Sequence, residues 1–493
     1  MQPQEEHEVI IVGAGLAGLA AAKTYLELSP ETDLLMLEAR SAVGGVWAEN
    51  NYECLHTNNL YGTYELSSFS LDPAKYDVQP EAPIPGSVLK QYFSDFIDHF
   101  DLRRRTRFNT RVHTVRKEDG FWEVHTRTVL YKCSKLIMSP GLCSTANEIP
   151  IPGQQNFGRP IMNHSQLGTK GALLANDPAA KSVTVIGASK YGYDAVYLMA
   201  SHGKRVEWII RKSGGGAVWM ALPWLWFGPW RLNLFWTGRL GVLNYPTNIY
   251  DYVRSGQVSV NRKDISHLSE GEVNFTDGTV TKTDALIRIT GWKLAPGINY
   301  EPEGLVSSLG IPTRDPFRDR KAWDRFDRAA DEEILDRFPA LRHQPAVKTP
   351  YKPGLSPFRL YRGIASPEMT AKGDQSIAFL GMLNGTSNAL LIEVQALWTY
   401  AYLNNQVPID RSKVYYQTAL TSRYGRHRHP CGFASWYPET IFDAIPYSDM
   451  LLMDLGINRW RKRSWLREVF EDYTVHDYRG INQEWKQQHK ILS

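Results

Sequence analysis

The chain has 493 residues, 43% of them hydrophobic and 22% charged, which suits two or three packed domains and excludes a disordered or fibrous chain. Its 56 basic and 52 acidic residues leave a formal charge of +4 with no long basic run, so nucleic acid is not an expected partner. Four scattered cysteines (Cys54, Cys133, Cys143, Cys431) with no C-x-x-C speak against a disulfide scaffold, a zinc site or a redox-active dithiol.

The first element is expected at 9–12, where Val9-Ile10-Ile11-Val12 reads as a buried parallel strand. It begins so early that no signal peptide is expected, and the location expected is cytoplasmic. Gly13-Ala14-Gly15-Leu16-Ala17-Gly18 follows, then a helix over 16–28 closed by Pro30, then a strand over 34–37 that ends at Glu38. This is a β-α-β unit with an acid roughly 20 positions after the last glycine, the spacing of a dinucleotide fingerprint. The glycines permit a tight turn and let backbone N–H groups approach a pyrophosphate at a helix N-terminus. Glu38 would accept from a ribose hydroxyl and repel a 2′-phosphate, so the site suits FAD or NAD.

A helix is expected over 88–100 and hairpin strands over 112–115, 121–126 and 129–131. A further strand is expected over 135–139 and a linker over 150–153. A second β-α-β unit starts at Val183: a strand over 183–186, the loop Gly187-Ala188-Ser189-Lys190-Tyr191-Gly192, a helix over 193–201 and a strand over 206–210. Ser189 stands where the middle glycine would be. Arg211 and Lys212 follow the strand with no acid in the place of Glu38. Two cations there favour a 2′-phosphate, hence NADPH.

The segment 217–236 holds Trp219, Trp224, Trp226, Trp230 and Trp236 but is broken by Pro223, Gly228 and Pro229. It falls short of a span of ~20 apolar residues, so no transmembrane segment is expected. It reads as a lid or helical hairpin packed on the core, ahead of the lining of a lipophilic substrate channel and, last, a membrane-surface patch. A β-meander with turns at Glu270-Gly271 and Asp277-Gly278 follows, then a strand over 285–289. Residues 299–375 are hard to assign. A strand over 377–380, an apolar helix over 389–403 and an aromatic, charged tail from about 416 complete the chain. The run Arg426-His427-Arg428-His429 has no partners at metal-ligand spacing, and no metal site is expected.

From Val9 to about Trp398 the chain resembles the class B flavin-containing monooxygenases, particularly fungal ones. The resemblance rests on the first loop with Glu38, on Gly44-Gly45-Val46-Trp47 (the family's G-G-x-W) and on Thr57-Asn58 (its Thr-Asn element). It rests further on the second loop with Asp194, on the stretch from Arg211 to Met220, on Ile289-Thr290-Gly291-Trp292, and on Glu393, Gln395 and Trp398 in the last long helix. Three departures stand out. The family's F-x-G-x-x-x-H has one residue too many between Phe157 and His164, and Gly168 stands where Baeyer–Villiger enzymes carry an aromatic. Asn58 is followed by Asn59 and a longer run before Glu65-Leu66. Tyr191 replaces a small residue before Gly192.

The resemblance implies an α/β fold with two Rossmann-like dinucleotide-binding domains. These would be an FAD domain in two parts (1–165 and 285–415), an NADPH domain between them (166–284) and a C-terminal cap (416–493). It implies that FAD is held by Gly13, Gly15, Gly18, Glu38, Arg40, Gly45, Trp47, Asn58 and Val112, and NADPH by Gly187, Ser189, Gly192, Arg211 and Lys212. Asn58 or Asn59 would face the reactive flavin. A flavin C4a-hydroperoxide would then transfer one atom of O2 to a lipophilic small molecule, an aromatic or polyketide-like secondary metabolite. Baeyer–Villiger oxygenation of a ketone and a flavin oxidase or dehydrogenase are the alternatives.

Overall fold

A computed structural model describes residues 3–48, 50–80, 82–213, 219–221, 240–294, 297–314, 316–344, 354–385, 388–429, 439–441 and 443–489. The tryptophan-rich stretch 222–239 lies outside them, as does Cys431.

Two sheets organise the chain, one mixed and one wholly parallel. The first has eight strands: Gln4–Val12, Leu34–Leu37, Thr106–Arg107, Thr114–Glu118, Phe121–His125, Leu130–Met138, Asn299–Glu301 and Ile377–Phe379. Gln4–Val12 lies between Leu34–Leu37 and Leu130–Met138, parallel to both. Val9, Ile10 and Ile11 are wholly buried there, which is why that run is apolar on both faces. The strands expected at 129–131 and 135–139 are one strand, because the long Gln4–Val12 runs beside it throughout, and Ser134 Oγ donates to the Glu8 carbonyl at 3.0 Å across the polar middle.

The second sheet has five parallel strands in the order Val258–Arg262, Arg205–Ile210, Ser182–Ile186, Ala285–Arg288, Ile161–Asn163. The expected division at 165/166 and 284/285 therefore cuts off two of its strands. Ile161–Asn163 and Ala285–Arg288 pair with each other and so belong with the second nucleotide loop. The meander is a separate three-stranded antiparallel sheet, Ile265–Ser269, Glu272–Phe275 and Val280–Lys282.

The helix Asn388–Leu403 is buried on every side and packs on Leu16–Leu28, the helix that follows the first loop. The tail closes over both: Ala444–Asp454 packs on Asn388–Leu403, and Asn482 in the last helix donates to Glu27 at 2.8 Å. Within the hard-to-assign region, Pro316–Arg337 is a long helix packed on Val414–Arg428, with bidentate Arg423–Asp331 bonds across the contact.

Glu393 is buried in the Asn388–Leu403 helix and accepts from Ser67 N at 2.8 Å and Ser67 Oγ at 3.0 Å. Burial dominates and pushes its carboxyl up from 4.5 to about 7. Between those values the folded chain holds a proton that the unfolded chain has lost. The group's contribution to stability is therefore complete below about pH 4.5 and is lost as pH rises through 7. Urea unfolding across this window is expected to show wild-type stability falling by up to about 3 kcal/mol relative to Glu393→Gln. A difference that does not change with pH would contradict this.

Candidate active site

The two loops have the same backbone form. Gly13 and Gly187 both sit at φ +108, in the region that side chains rarely adopt. A Cβ on Gly13 would lie 2.4 Å from the Ser139 carbonyl oxygen, and one on Gly187 would lie 2.6 Å from that of Ile289. The last glycines close the turn: a Cβ on Gly18 would lie 1.9 Å from Gly13 O, and on Gly192 2.4 Å from Gly187 O. These four glycines are required by the protein itself.

Gly15 is different. It caps the helix Leu16–Leu28 with extended backbone (φ −81, ψ −173), and a Cβ there would meet nothing nearer than Gly45 Cα, at 3.6 Å. The fold leaves that space open, as close approach of a pyrophosphate requires. Gly45 is held opposite: Gly44 N donates to Ala14 O at 2.9 Å, and Arg40 Nη1 donates to Gly45 O at 2.9 Å. Glu38 is buried at the strand end and accepts from the N–H groups of Ala14 (2.7 Å) and Arg40 (2.9 Å). Val112 is buried in the same apolar cluster as Val12 and Leu37.

In the second unit, Ser189 caps the helix Lys190–Ser201 with φ −81 and ψ 178, and its hydroxyl makes no capping bond. The middle position of this loop thus already carries a side chain. Arg211 and Lys212 are exposed at the end of Arg205–Ile210. The fold also brings an acid to this edge, one absent from the local sequence. Asp264 accepts from Ser213 N at 3.1 Å and Ser213 Oγ at 2.7 Å, and the Ser213 hydroxyl bond holds its carboxyl below the usual range. The Lys212 backbone and the Arg211 charge also act on this carboxylate, so Asp264 lies against the same strand end as the two cations.

Between the units lies a cavity of about 1530 Å³. Of the residues singled out from the sequence, Trp47, Asn58, Asn59, Gly187, Ser189 and Arg211 line it; Gly13, Gly15, Gly18, Glu38, Arg40, Gly45, Val112, Gly192 and Lys212 lie outside its wall. Asn58 and Asn59 both reach the cavity because their strand, His56–Leu60, is irregular, with a register shift against Pro83–Pro85. Thr57 is buried and anchors the strand: Ile84 N donates to its Oγ1 at 2.8 Å, and that hydroxyl donates to Asn59 O at 2.5 Å.

His164 also lines the cavity, 1% exposed, with its ring 4.5 Å from that of Trp292 and 5.2 Å from that of Tyr191. Burial pushes it down to about 4, so it is a neutral imidazole near pH 7. The larger Tyr191 of the second loop thus has a packing role.

A buried network escaped the sequence reading. Asp194, 1% exposed, accepts from Tyr52 OH at 2.6 Å and Tyr245 OH at 2.5 Å, and pairs with Lys190. Lys190 Nζ also donates to Asn244 Oδ1 at 2.9 Å. Asn244 Nδ2 in turn donates to the carbonyls of His56 (3.1 Å) and Thr57 (3.0 Å). The start of the second nucleotide helix is thereby tied to the strand that carries Asn58. Among the described residues no group of three or more His, Cys, Asp or Glu is placed to hold a metal ion. No helix there is long and apolar enough to cross a membrane.

A family profile described as pyridine nucleotide-disulphide oxidoreductase matches residues 10–298. An FAD-dependent monooxygenase, rstn6, of Aspergillus nomiae is 28% identical over 97% of this chain and 98% of its own length. Another, resA of Aspergillus sclerotiorum, is 29% identical over 97% and 98%. Among solved structures, cyclohexanone monooxygenase from Rhodococcus sp. bound to NADP+ superposes with a TM-score of 0.62 at 16% identity, over 92% of this chain and 98% of its own. The S-allyl-L-cysteine S-oxygenase of Allium sativum gives 0.57 at 16%, over 99% and 97%. The shared fold thus serves a ketone-named enzyme and a sulfur oxygenase alike.

Proposed function

Because the chain belongs to the pyridine nucleotide-disulphide oxidoreductase family and, within it, to the class B flavin monooxygenases, we propose that it uses NADPH and O2 to insert one oxygen atom into a lipophilic small molecule, a fungal-type secondary metabolite. It is an FAD- and NADPH-dependent monooxygenase. The observation that carries the reading is the pair of glycine loops of one backbone form, the second lining the cavity through Gly187 and Ser189 and the first, outside its wall, with room at Gly15 that the protein does not fill. We divide the chain into an FAD domain in two pieces, an NADPH domain whose five strands fall between Ile161 and Arg288 in the sequence, and a C-terminal cap from about residue 416.

When bound, FAD carries two electrons from NADPH to O2 and one oxygen atom to the substrate, the other leaving as water. The chain's own groups position and shield. Gly13, Gly15 and Gly18 with the helix they open receive the pyrophosphate, and Glu38 takes the ribose hydroxyls. Arg40 holds Gly45 in place, Trp47 closes one side of the cavity and Val112 would be among the residues that hold FAD. Asn58, exposed into the cavity, donates and accepts hydrogen bonds without titrating, with Asn59 beside it on the same wall. The aromatic wall of His164, Tyr191 and Trp292 keeps water out and adds no charge.

Gly187, Ser189 and Gly192 receive the second pyrophosphate, and Arg211 with Lys212 meets the 2′-phosphate. Arg211→Ala is expected to raise KM for NADPH at least about tenfold while leaving that for NADH nearly unchanged, in steady-state assays with each cofactor. Equal changes for both would remove the 2′-phosphate assignment. The activity itself is tested with 18O2, NADPH and two probes, cyclohexanone and thioanisole. One 18O in either product supports oxygen insertion, and the labelled product tells ketone from sulfur oxygenation. NADPH consumption with neither probe labelled and all oxygen recovered as peroxide would contradict it.

A further inference from the structure

The last part of the chain carries an apolar face that no described residue covers. In the short helix Trp465–Phe470, Trp465 is 73% exposed, Leu466 52%, Val469 65% and Phe470 78%. Steps of one, four and five residues place these four on one side of a helix. The opposite side is fastened inward through Glu468, which accepts from Lys462 N at 3.0 Å and from Tyr473 OH. Tyr473 in turn packs against the main core. Trp460, 55% exposed under the Arg459 guanidinium, extends the same region. Soluble surfaces rarely carry so many large apolar side chains close together without a partner.

The charges around this face identify the partner. Residues 459–472 hold five basic side chains (Arg459, Arg461, Lys462, Arg463, Arg467) and three acidic ones (Glu468, Glu471, Asp472). Arg461 and Lys462 face inward, paired with Glu484 and Asp477 at 2.9 Å each, and Arg467 pairs with Glu471 at 3.2 Å. Among the described residues Arg463 has no ion pair, and Arg459, within the field of Asp449, makes none closer than 4 Å. A second copy would bring the same cations face to face across a two-fold axis, and protein interfaces are depleted of charge at their cores. Tryptophan and phenylalanine tips ringed by arginine match the boundary between acyl chains and anionic headgroups.

We propose that this face docks the protein on an anionic lipid bilayer surface, with Trp465, Leu466, Val469 and Phe470 entering the interface and Arg459 and Arg463 meeting the headgroups. The FAD-loaded full-length protein is sedimented with vesicles of phosphatidylcholine alone and with vesicles containing phosphatidylserine. Binding is expected to the phosphatidylserine vesicles, weakened by salt. It should fall at least about tenfold in the double variant Trp465→Ser/Phe470→Ser and fall again in Arg463→Glu, with bound FAD unchanged in both. Both changes lie at exposed positions, so flavin content reports an intact fold. No binding to either vesicle, or binding that the double variant retains, would overturn the proposal. Equal binding to both vesicles would overturn the anionic assignment. A wild-type dimer in lipid-free solution that the double variant converts to monomer would give the face to a second copy.

Discussion

Gly15→Ala is expected to yield a folded protein that has lost most of its FAD. The added methyl meets only Gly45 Cα at 3.6 Å, an ordinary contact, and the extended backbone at Gly15 accepts alanine. The methyl does, however, occupy the space through which a pyrophosphate reaches the helix N-terminus. We expect FAD affinity to fall at least about tenfold with the circular dichroism of the wild type. Gly18→Ala makes the contrast: its Cβ would lie 1.9 Å from the Gly13 carbonyl oxygen, so the turn itself must open and soluble yield should collapse. Flavin absorbance per mole of purified protein measures both. A Gly15→Ala protein as yellow as the wild type would mean that nothing approaches this glycine.

Asp194→Ala is expected to cost about 3–5 kcal/mol of stability, the range for removing one partner of a buried ion pair. Asp194 is 1% exposed, and its carboxylate serves Lys190 and the hydroxyls of Tyr52 and Tyr245 together. Alanine leaves two buried hydroxyls without that acceptor and the ammonium without its counter-charge. Asp194→Asn keeps one oxygen acceptor and should cost less. Urea midpoints of the three proteins measure the difference. Because Lys190 and Asn244 carry the link onward to His56 and Thr57, the alanine variant should also release more peroxide per NADPH, as the strand bearing Asn58 loses its support. An alanine variant as stable as the wild type would show that the network holds nothing together.

The two nucleotide units were legible in the sequence because each is local. Val9–Val12, the glycine loop and Glu38 lie within 30 residues, and burial on both faces makes the strand apolar throughout. Asn388–Leu403 was legible for the same reason, being apolar on every side. Pro316–Arg337 was not. It is dense in charge, and its narrow stripe of Trp323, Phe326, Ala330 and Ile334 makes sense only against Val414–Arg428. The Asp194 network joins residues 142 and 51 positions apart, and Asp264 reaches Ser213 from 51 positions away, so no local pattern announces either. The second sheet took in Ile161–Asn163 and Ala285–Arg288 because pairing partners, unlike strand-forming runs, are not written locally.

The most direct measurement is the oxygen reaction of the reduced protein. The FAD-loaded protein is reduced with NADPH without air and mixed rapidly with O2 while the flavin spectrum is followed. Return of the oxidised spectrum in two resolved phases, the second slowed by NADP+, is the predicted result. Return in one phase with a full equivalent of peroxide, indifferent to NADP+, would contradict a monooxygenase.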